Sequence, residues 1–180
     1  MKTFDLQPTL QDSLVKIRPL RAADFEALYA VASDPLIWEQ HPNPNRYQIA
    51  EFSNFFEGAL SSGGAFLILD AQTDQPIGSS RFYDWNQETD SIFIGYTFFA
   101  RAFWGGRYNK SVKTLMIDHA LQFVDKVYFH IGANNLRSQR SLERLGGLKT
   151  GEIHVAYHKE PTRHNFAYEI DRKRWQSFSL

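Results

Sequence analysis

One stretch constrains this chain more than any other. The apolar run Ile92-Phe-Ile-Gly-Tyr-Thr-Phe-Phe99 leads into Phe103-Trp-Gly-Gly-Arg-Tyr-Asn-Lys-Ser-Val-Lys-Thr-Leu-Met116. The first part is rich in the aromatic and branched residues that strands favour. The second opens a helix over about Asn109 to Val124, because Val112, Leu115, Met116, His119/Ala120 and Phe123 fall on one face. A strand that turns through glycines into a helix N-terminus is suited to holding a phosphate. Glycine lets a ligand approach the backbone. The first helical amides have no intrahelical partner, and the helix dipole adds positive charge there. Arg107 and Lys110 supply full charges beside them. The stretch therefore predicts a diphosphate cradle.

Two other glycine loops bind phosphates, and neither fits. A P-loop needs glycine immediately before its lysine. Here Asn109 precedes Lys110, and Trp104 stands where the first glycine would be. The dinucleotide fingerprint needs three spaced glycines, whereas only Gly105-Gly106 is present.

The chain of 180 residues predicts one domain spanning 1–180, with a core over about 14–171. Its formal net charge of +0 argues against the basic footprint of a nucleic-acid binder. With no cysteine, disulfides, thiolate metal sites and a cysteine acyl-enzyme are excluded. No metal site is expected. No apolar leader or membrane-length run is visible, so a cytoplasmic protein without membrane contact is expected. Monomer and homodimer both remain open.

Along the chain, Leu14-Val-Lys-Ile-Arg-Pro19 alternates as a strand does. Phe25, Leu28, Tyr29 and Ala32 recur at helical spacing, and Asp34-Pro35 ends that helix. A proline-punctuated loop, Trp38 to Arg46, precedes a second helix carrying Ile49, Phe52, Phe55, Phe56 and Leu60, stopped by Ser61-Ser-Gly-Gly64. Three strands follow: Ala65–Leu69, Ile77–Tyr83 and Ser91–Phe99. After the anchor helix come a strand at Val127–Ile131 and a helix at Ser138–Leu145, ended by Gly146-Gly147. Glu152–His158 and Asn165–Ile170 close the chain as a hairpin, and Arg172-Lys-Arg-Trp-Gln-Ser-Phe178 reads as a short basic tail. The order is β-α-α-β-β-β-α-β-α-β-β, a mixed α/β layout. Gly95 inside a strand marks a bulge.

Two blocks carry a family resemblance. The first is Ala102-Phe-Trp-Gly-Gly-Arg107; the second is Asn135-Leu-Arg-Ser138 with Ser141-Leu-Glu-Arg-Leu-Gly146. Together they resemble the acyl-CoA loop and the Asn-x-x-Ser helix of the GCN5-related N-acetyltransferases (GNAT), particularly the ribosomal-protein N-terminal acetyltransferase branch. The likeness runs from about Val15 to about Ile170. The loop lacks the family's first polar residue, and its second glycine is displaced by one position. The resemblance implies a mixed, twisted sheet whose fourth and fifth strands splay apart around the pantetheine arm.

The activity so implied is transfer of an acetyl group from acetyl-CoA, as co-substrate, to a small-molecule or peptide amine within a ternary complex. Such a reaction needs a neutral amine, a donor for the thioester oxygen and stabilisation of the thiolate. The cofactor-binding candidates are Phe98, Phe99, Trp104, Gly105, Gly106, Arg107, Tyr108, Asn109, Lys110 and Asn135. Asn135 is placed to orient pantetheine and Ser138 to lie near sulfur, although both residue types also cap helices. Relatives often carry a tyrosine acid on the last helix and a glutamate before Ile-Gly-Tyr. Here those positions are Leu142 and Phe93. His130 and Tyr96 are the catalytic candidates that remain, with Asp84 and Glu39 behind them. Trp38, His41, Arg46 and Tyr157 are expected on the acceptor side, with Lys159 and Arg163 adding charge. Because the tyrosine and the glutamate are missing, a catalytically silent CoA-binding module is the main alternative, and a protein-interaction domain the second.

Overall fold

The computed structural model describes residues 3–178. A two-residue strand, β1 (Leu10–Gln11), precedes β2 (Val15–Pro19), α1 (Phe25–Ala32) and α2 (Ile49–Ser61). Then come β3 (Ala65–Asp70), β4 (Pro76–Asn86), β5 (Ser91–Phe99), α3 (Arg107–Ala120), β6 (Lys126–Gly132) and α4 (Leu136–Glu143). The hairpin β7 (Leu148–Val155) and β8 (Arg163–Asp171) leads into α5 (Arg172–Phe178). The basic tail is thus a helix. Asp171 Oδ1 accepts from the Arg174 amide at 2.6 Å, a side-chain cap. Trp175 anchors the helix, buried and donating from Nε1 to Asp118 Oδ1 at 2.6 Å.

Among the described residues the strands form one sheet in the order β1-β2-β3-β4-β5-β6-β8-β7. Neighbours are antiparallel except β5 and β6, which are parallel. Both faces are covered. In β3, Phe66 and Ile68 pack into the core beneath α3, α4 and α5, while Ala65 and Leu67 pack beneath α1 and α2. Two buried faces explain why β3 reads as a continuous apolar run. Each fully buried leucine or phenylalanine contributes roughly 1.5–3 kcal/mol. Among the described residues no helix is long and apolar enough to cross a membrane.

Two irregularities place the site. The ladder between β5 and β6 joins only Ser91 to Lys126, Ile92 to Val127 and Phe93 to Tyr128. Past Phe93 the strands diverge. This is the splay expected from the resemblance; β5 and β6 are its fourth and fifth strands, since β1 adds one ahead of them. The second irregularity is a bulge in β5. Ser79 pairs with Phe98 and Arg81 with Gly95, so Ser80 alone faces Tyr96 and Thr97. The bulge falls beside the expected glycine, but the residue in the left-handed region is Tyr96, at φ 54°. Gly95 serves by being small: a Cβ there would lie 2.9 Å from the Tyr83 ring. An extra residue reverses the alternation of a strand. Ile92 and Ile94 pack on the α3 side; beyond the bulge Phe98 packs on the α1–α2 side and Phe99 on the α3 side.

Candidate active site

A cleft of about 770 Å³ opens where β5 and β6 part. Ile94–Phe99, Phe129–Gly132, Trp104–Gly106, the start of α3 and α4 line it. The glycine loop is exposed rather than covered. Gly105 turns it with φ 67°, and Gly106 caps α3 without a side-chain bond. Among the described residues no group takes the amides of Gly105 to Asn109 as hydrogen-bond donors. Trp104, Gly105, Gly106, Asn109 and Lys110 line the cleft. Arg107 and Tyr108, also expected at the cofactor, are not among the lining residues. The Tyr108 hydroxyl donates to Asp70 Oδ2 at 3.0 Å, and its ring meets Phe103 edge-on, so it points away.

The lining carries Arg46, Lys110, Lys113, Arg137, Arg140 and Arg144, and among the described residues no aspartate or glutamate. A one-signed cleft of this kind concentrates anions.

On α4, Asn135 is buried and its Oδ1 accepts from the Ser138 amide at 3.1 Å. The oxygen is therefore spent on the helix cap, leaving the Nδ2 amide as the group that can meet a ligand. The Ser138 hydroxyl lines the cleft and has no hydrogen-bond partner among the described residues. Leu142 is buried in the cleft wall. Asn109 Nδ2 donates to Ser141 Oγ at 2.6 Å, linking α3 to α4.

The acceptor-side candidates Trp38, His41, Arg46 and Tyr157 line the same cleft. Trp38 is held by its Nε1, which donates to Ala32 O at 2.7 Å. Arg46 is 2% exposed, lies 5.3 Å from the Trp38 ring and 5.0 Å from Phe55, and bonds Glu160 Oε1 at 2.6 Å. Its Nη1 approaches His41 Nε2 at 3.2 Å. Burial, reinforced by Arg46, pushes the His41 pKa well below the usual histidine value. The Asn43 amide donates to His41 Nδ1 at 2.9 Å, Asn43 O lies 3.2 Å from the same nitrogen, and Arg46 stands at Nε2, so both ring nitrogens have close neighbours. Tyr157 donates to Asn165 Oδ1 at 3.0 Å and meets Tyr96 edge-on. The guanidinium of Arg81 lies 3.8 Å from the Tyr96 ring centre. Burial raises the Tyr96 pKa, so that phenol stays protonated.

His130 lines the cleft, packed 4.7 Å from the Phe93 ring, and burial lowers its pKa toward the neutral form. Asp84 and Glu39 are not cleft residues; Glu39 instead pairs with Arg137 at 3.7 Å. Lys159 pairs with Glu57 on the surface at 2.9 Å, and Arg163 is likewise outside the lining.

The family model of the acetyltransferase (GNAT) domain matches residues 15–147. The chain belongs to the GNAT acetyltransferase family. It is accordingly an acyl-CoA-dependent N-acetyltransferase. Solved structures of the same fold include a GCN5-related N-acetyltransferase from Brucella melitensis, with TM-score 0.83 and 16% identity over 98% of this chain and 84% of that one. RimJ from Mycobacterium smegmatis in complex with CoA-disulfide gives TM-score 0.72 and 16% identity, over 93% of this chain and 87% of that one. Spermidine N-acetyltransferase from Vibrio cholerae in complex with CoA and spermine gives 0.70 and 15%, over 92% and 99%. At such identities the likeness is one of fold.

Sequence reasoning about this GNAT enzyme missed Lys113. The residue lines the cleft, is buried, and donates from Nζ to Thr97 Oγ1 at 2.7 Å. Burial alone brings its pKa down to about 7. A signal was available: Lys113 stands at helical spacing from Met116, Ile117 and Ala120, within the buried face of α3. Arg137 was missed as well. It follows the exposed Leu136 at the start of α4, and nothing in the sequence relates it to Trp104.

Proposed function

We propose that this enzyme moves an acetyl group from acetyl-CoA directly to a primary amine while both are bound. The observation that carries the reading is the opened seam between β5 and β6, with the unpartnered amides of the glycine loop and the aromatic residues Trp38, Tyr96 and Tyr157 lining one cleft. The amides of Gly105 to Asn109, with Lys110, would hold the diphosphate, a task for which a helix N-terminus is suited. The unpaired backbone edges beyond Phe93 and Tyr128 offer hydrogen bonds to the pantetheine amides. The acceptor enters past Trp38, Tyr96 and Tyr157. Holding amine and thioester together can supply roughly 7–11 kcal/mol of the barrier. His130, kept neutral by burial, is the group we assign to take a proton from the incoming ammonium.

The walls also narrow the acceptor. A polyamine would bring several cations against a lining without a carboxylate, an unfavourable meeting in a low-dielectric cleft. A single amine, on a peptide N-terminus as in the ribosomal-protein branch or on a small molecule, meets no such penalty.

Calorimetric titration with acetyl-CoA tests the reading. Wild type should bind, and a Lys110→Glu, Arg140→Glu double variant should bind far more weakly. Release of CoA thiol should then rise above background with some member of a panel of peptides and small amines. A wild-type protein that does not bind acetyl-CoA overturns the reading.

A further inference from the structure

Helix α3 carries a cation where its neighbours are apolar. Val112, Met116, Ile117 and Ala120 are each 0% exposed, and Lys113 among them is 8% exposed. An ammonium has three N–H donors. Thr97 Oγ1 takes one at 2.7 Å, and the Phe129 ring centre lies 5.4 Å from Nζ. Among the described residues no carboxylate pairs with it. An unpaired buried charge opposes folding, and a methionine of similar shape would carry no such cost. The cation is held at a cost to stability, and it faces the cleft in which the thioester must lie.

The reaction needs an acid or a cation there. When the acceptor nitrogen adds to the acyl carbon and the C–S bond breaks, the electron pair of that bond stays on sulfur. Leu142, buried in the cleft wall, has no proton to give. The bulge in β5 turns Thr97 toward α3, so Thr97 fixes Lys113 from the opposite wall, with Ser80 Oγ 2.8 Å behind it. The other charged or titratable groups of these elements that line the cleft are Tyr96 on β5, His130 on β6 and Arg137, Arg140 and Arg144 at α4, with Lys110 on α3 itself; none is a carboxylate, and Glu143 of α4 lies outside the lining, bonded to Tyr168.

We propose that Lys113 meets this need as a cation, its ammonium holding the sulfur of coenzyme A as a thiolate while the C–S bond breaks. The products are the amide and the CoA thiolate paired with the ammonium, and the thiolate takes a proton from water on release. The proton lost by the acceptor nitrogen passes to His130 or to solvent. The proposal rests on acetyl-CoA being the co-substrate of this cleft. A thiolate beside Nζ opposes the effect of burial and keeps the lysine charged.

The test needs no acceptor. Coenzyme A is bound to the protein and its thiolate absorbance is titrated with pH, against the complex of desulfo-coenzyme A as the blank. An ammonium beside the sulfur favours the thiolate, so the bound thiol should ionise at least about tenfold more readily than that of free coenzyme A. Lys113→Met should abolish the effect while binding desulfo-coenzyme A as wild type does. Lys113→Arg, which keeps the charge, should retain part of it. A wild-type complex whose thiol titrates like free coenzyme A overturns the proposal whatever the variants do, and so does a Met variant that keeps the effect. If coenzyme A does not bind the wild type at all, the co-substrate reading falls, and this proposal with it.

Discussion

The guanidinium of Arg137 sits 3.8 Å from the centre of the Trp104 ring. Its Nη2 also donates to Ile37 O at 3.1 Å, and Trp104 Nε1 donates to Phe99 O at 2.9 Å. Three segments distant in sequence therefore meet at one end of the cleft: the turn before Trp38, the glycine loop and the start of α4. A cation stacked on indole contributes about 0.5–2 kcal/mol, more when desolvated. Replacing Arg137 by alanine should lower the melting temperature by about 2–4 °C for each kcal/mol lost. Acetyl-CoA should also dissociate faster, measurable by stopped flow. Arg137→Lys should recover little of this, because lysine has no planar face to stack.

The charge of the cleft leads to a second expectation. Arg46 is already committed to Glu160, but Lys110, Arg140 and Arg144 have no ion-pair partner among the described residues. If they attract the phosphates, acetyl-CoA affinity should fall as salt rises, since exposed charges are screened over about 8 Å at physiological ionic strength. Acetyl-pantetheine, which lacks the diphosphate, should bind with little dependence on salt. Parallel titrations at low and high salt compare the two.

Glu160 holds the acceptor wall. Its bond to Arg46 joins the β7–β8 loop to the segment between α1 and α2, with side chains 5% and 2% exposed. Removing one partner of such a pair strands the other charge, at a cost of about 3–5 kcal/mol. Glu160→Gln should therefore lower the urea midpoint substantially without changing the slope. A change below 1 kcal/mol, on the order of a surface pair, would show that Arg46 relies on its aromatic neighbours instead.

Acid should destabilise the fold partly through Asp24. The guanidinium of Arg18 grips both carboxylate oxygens, at 2.8 and 2.7 Å, and the Arg21 amide adds a bond at 2.8 Å. The Arg18 bond, aided by the Arg21 amide, holds the Asp24 pKa below its usual value of 3.8. A carboxylate depressed by folding stabilises the native state above its unfolded pKa. That contribution is lost as pH falls through the folded value. Asp24→Asn should be less stable than wild type near neutrality, and the two should converge as the medium becomes strongly acidic, as denaturant melts at a series of pH values would show.

Much of this architecture was legible because it is local. Ser91–Phe99 could be read as a strand from its composition, and the glycines after Leu145 as a stop from their position. The cradle was legible for the same reason, since strand, glycines and helix start are contiguous. Side-chain direction was not: Tyr108 lies in the glycine-loop segment, yet its hydroxyl turns to Asp70. Pairings across long separations left no trace either. Arg46 and Glu160 are 114 residues apart, and each alone reads as a surface charge. The last helix was hidden because its run is short and basic, and Trp175 acquires its meaning only when Asp118 arrives from α3.

The single surplus residue at Tyr96 has a consequence for how this chain can diverge. Upstream of it, neighbouring positions in β5 address opposite sides of the sheet in one phase; downstream the phase is inverted. Thr97 thus turns toward Lys113 on α3, and Phe98 toward α1 and α2. Loss of one codon there would exchange the residues that face α3 with those that face α1 and α2, while leaving composition and length almost untouched.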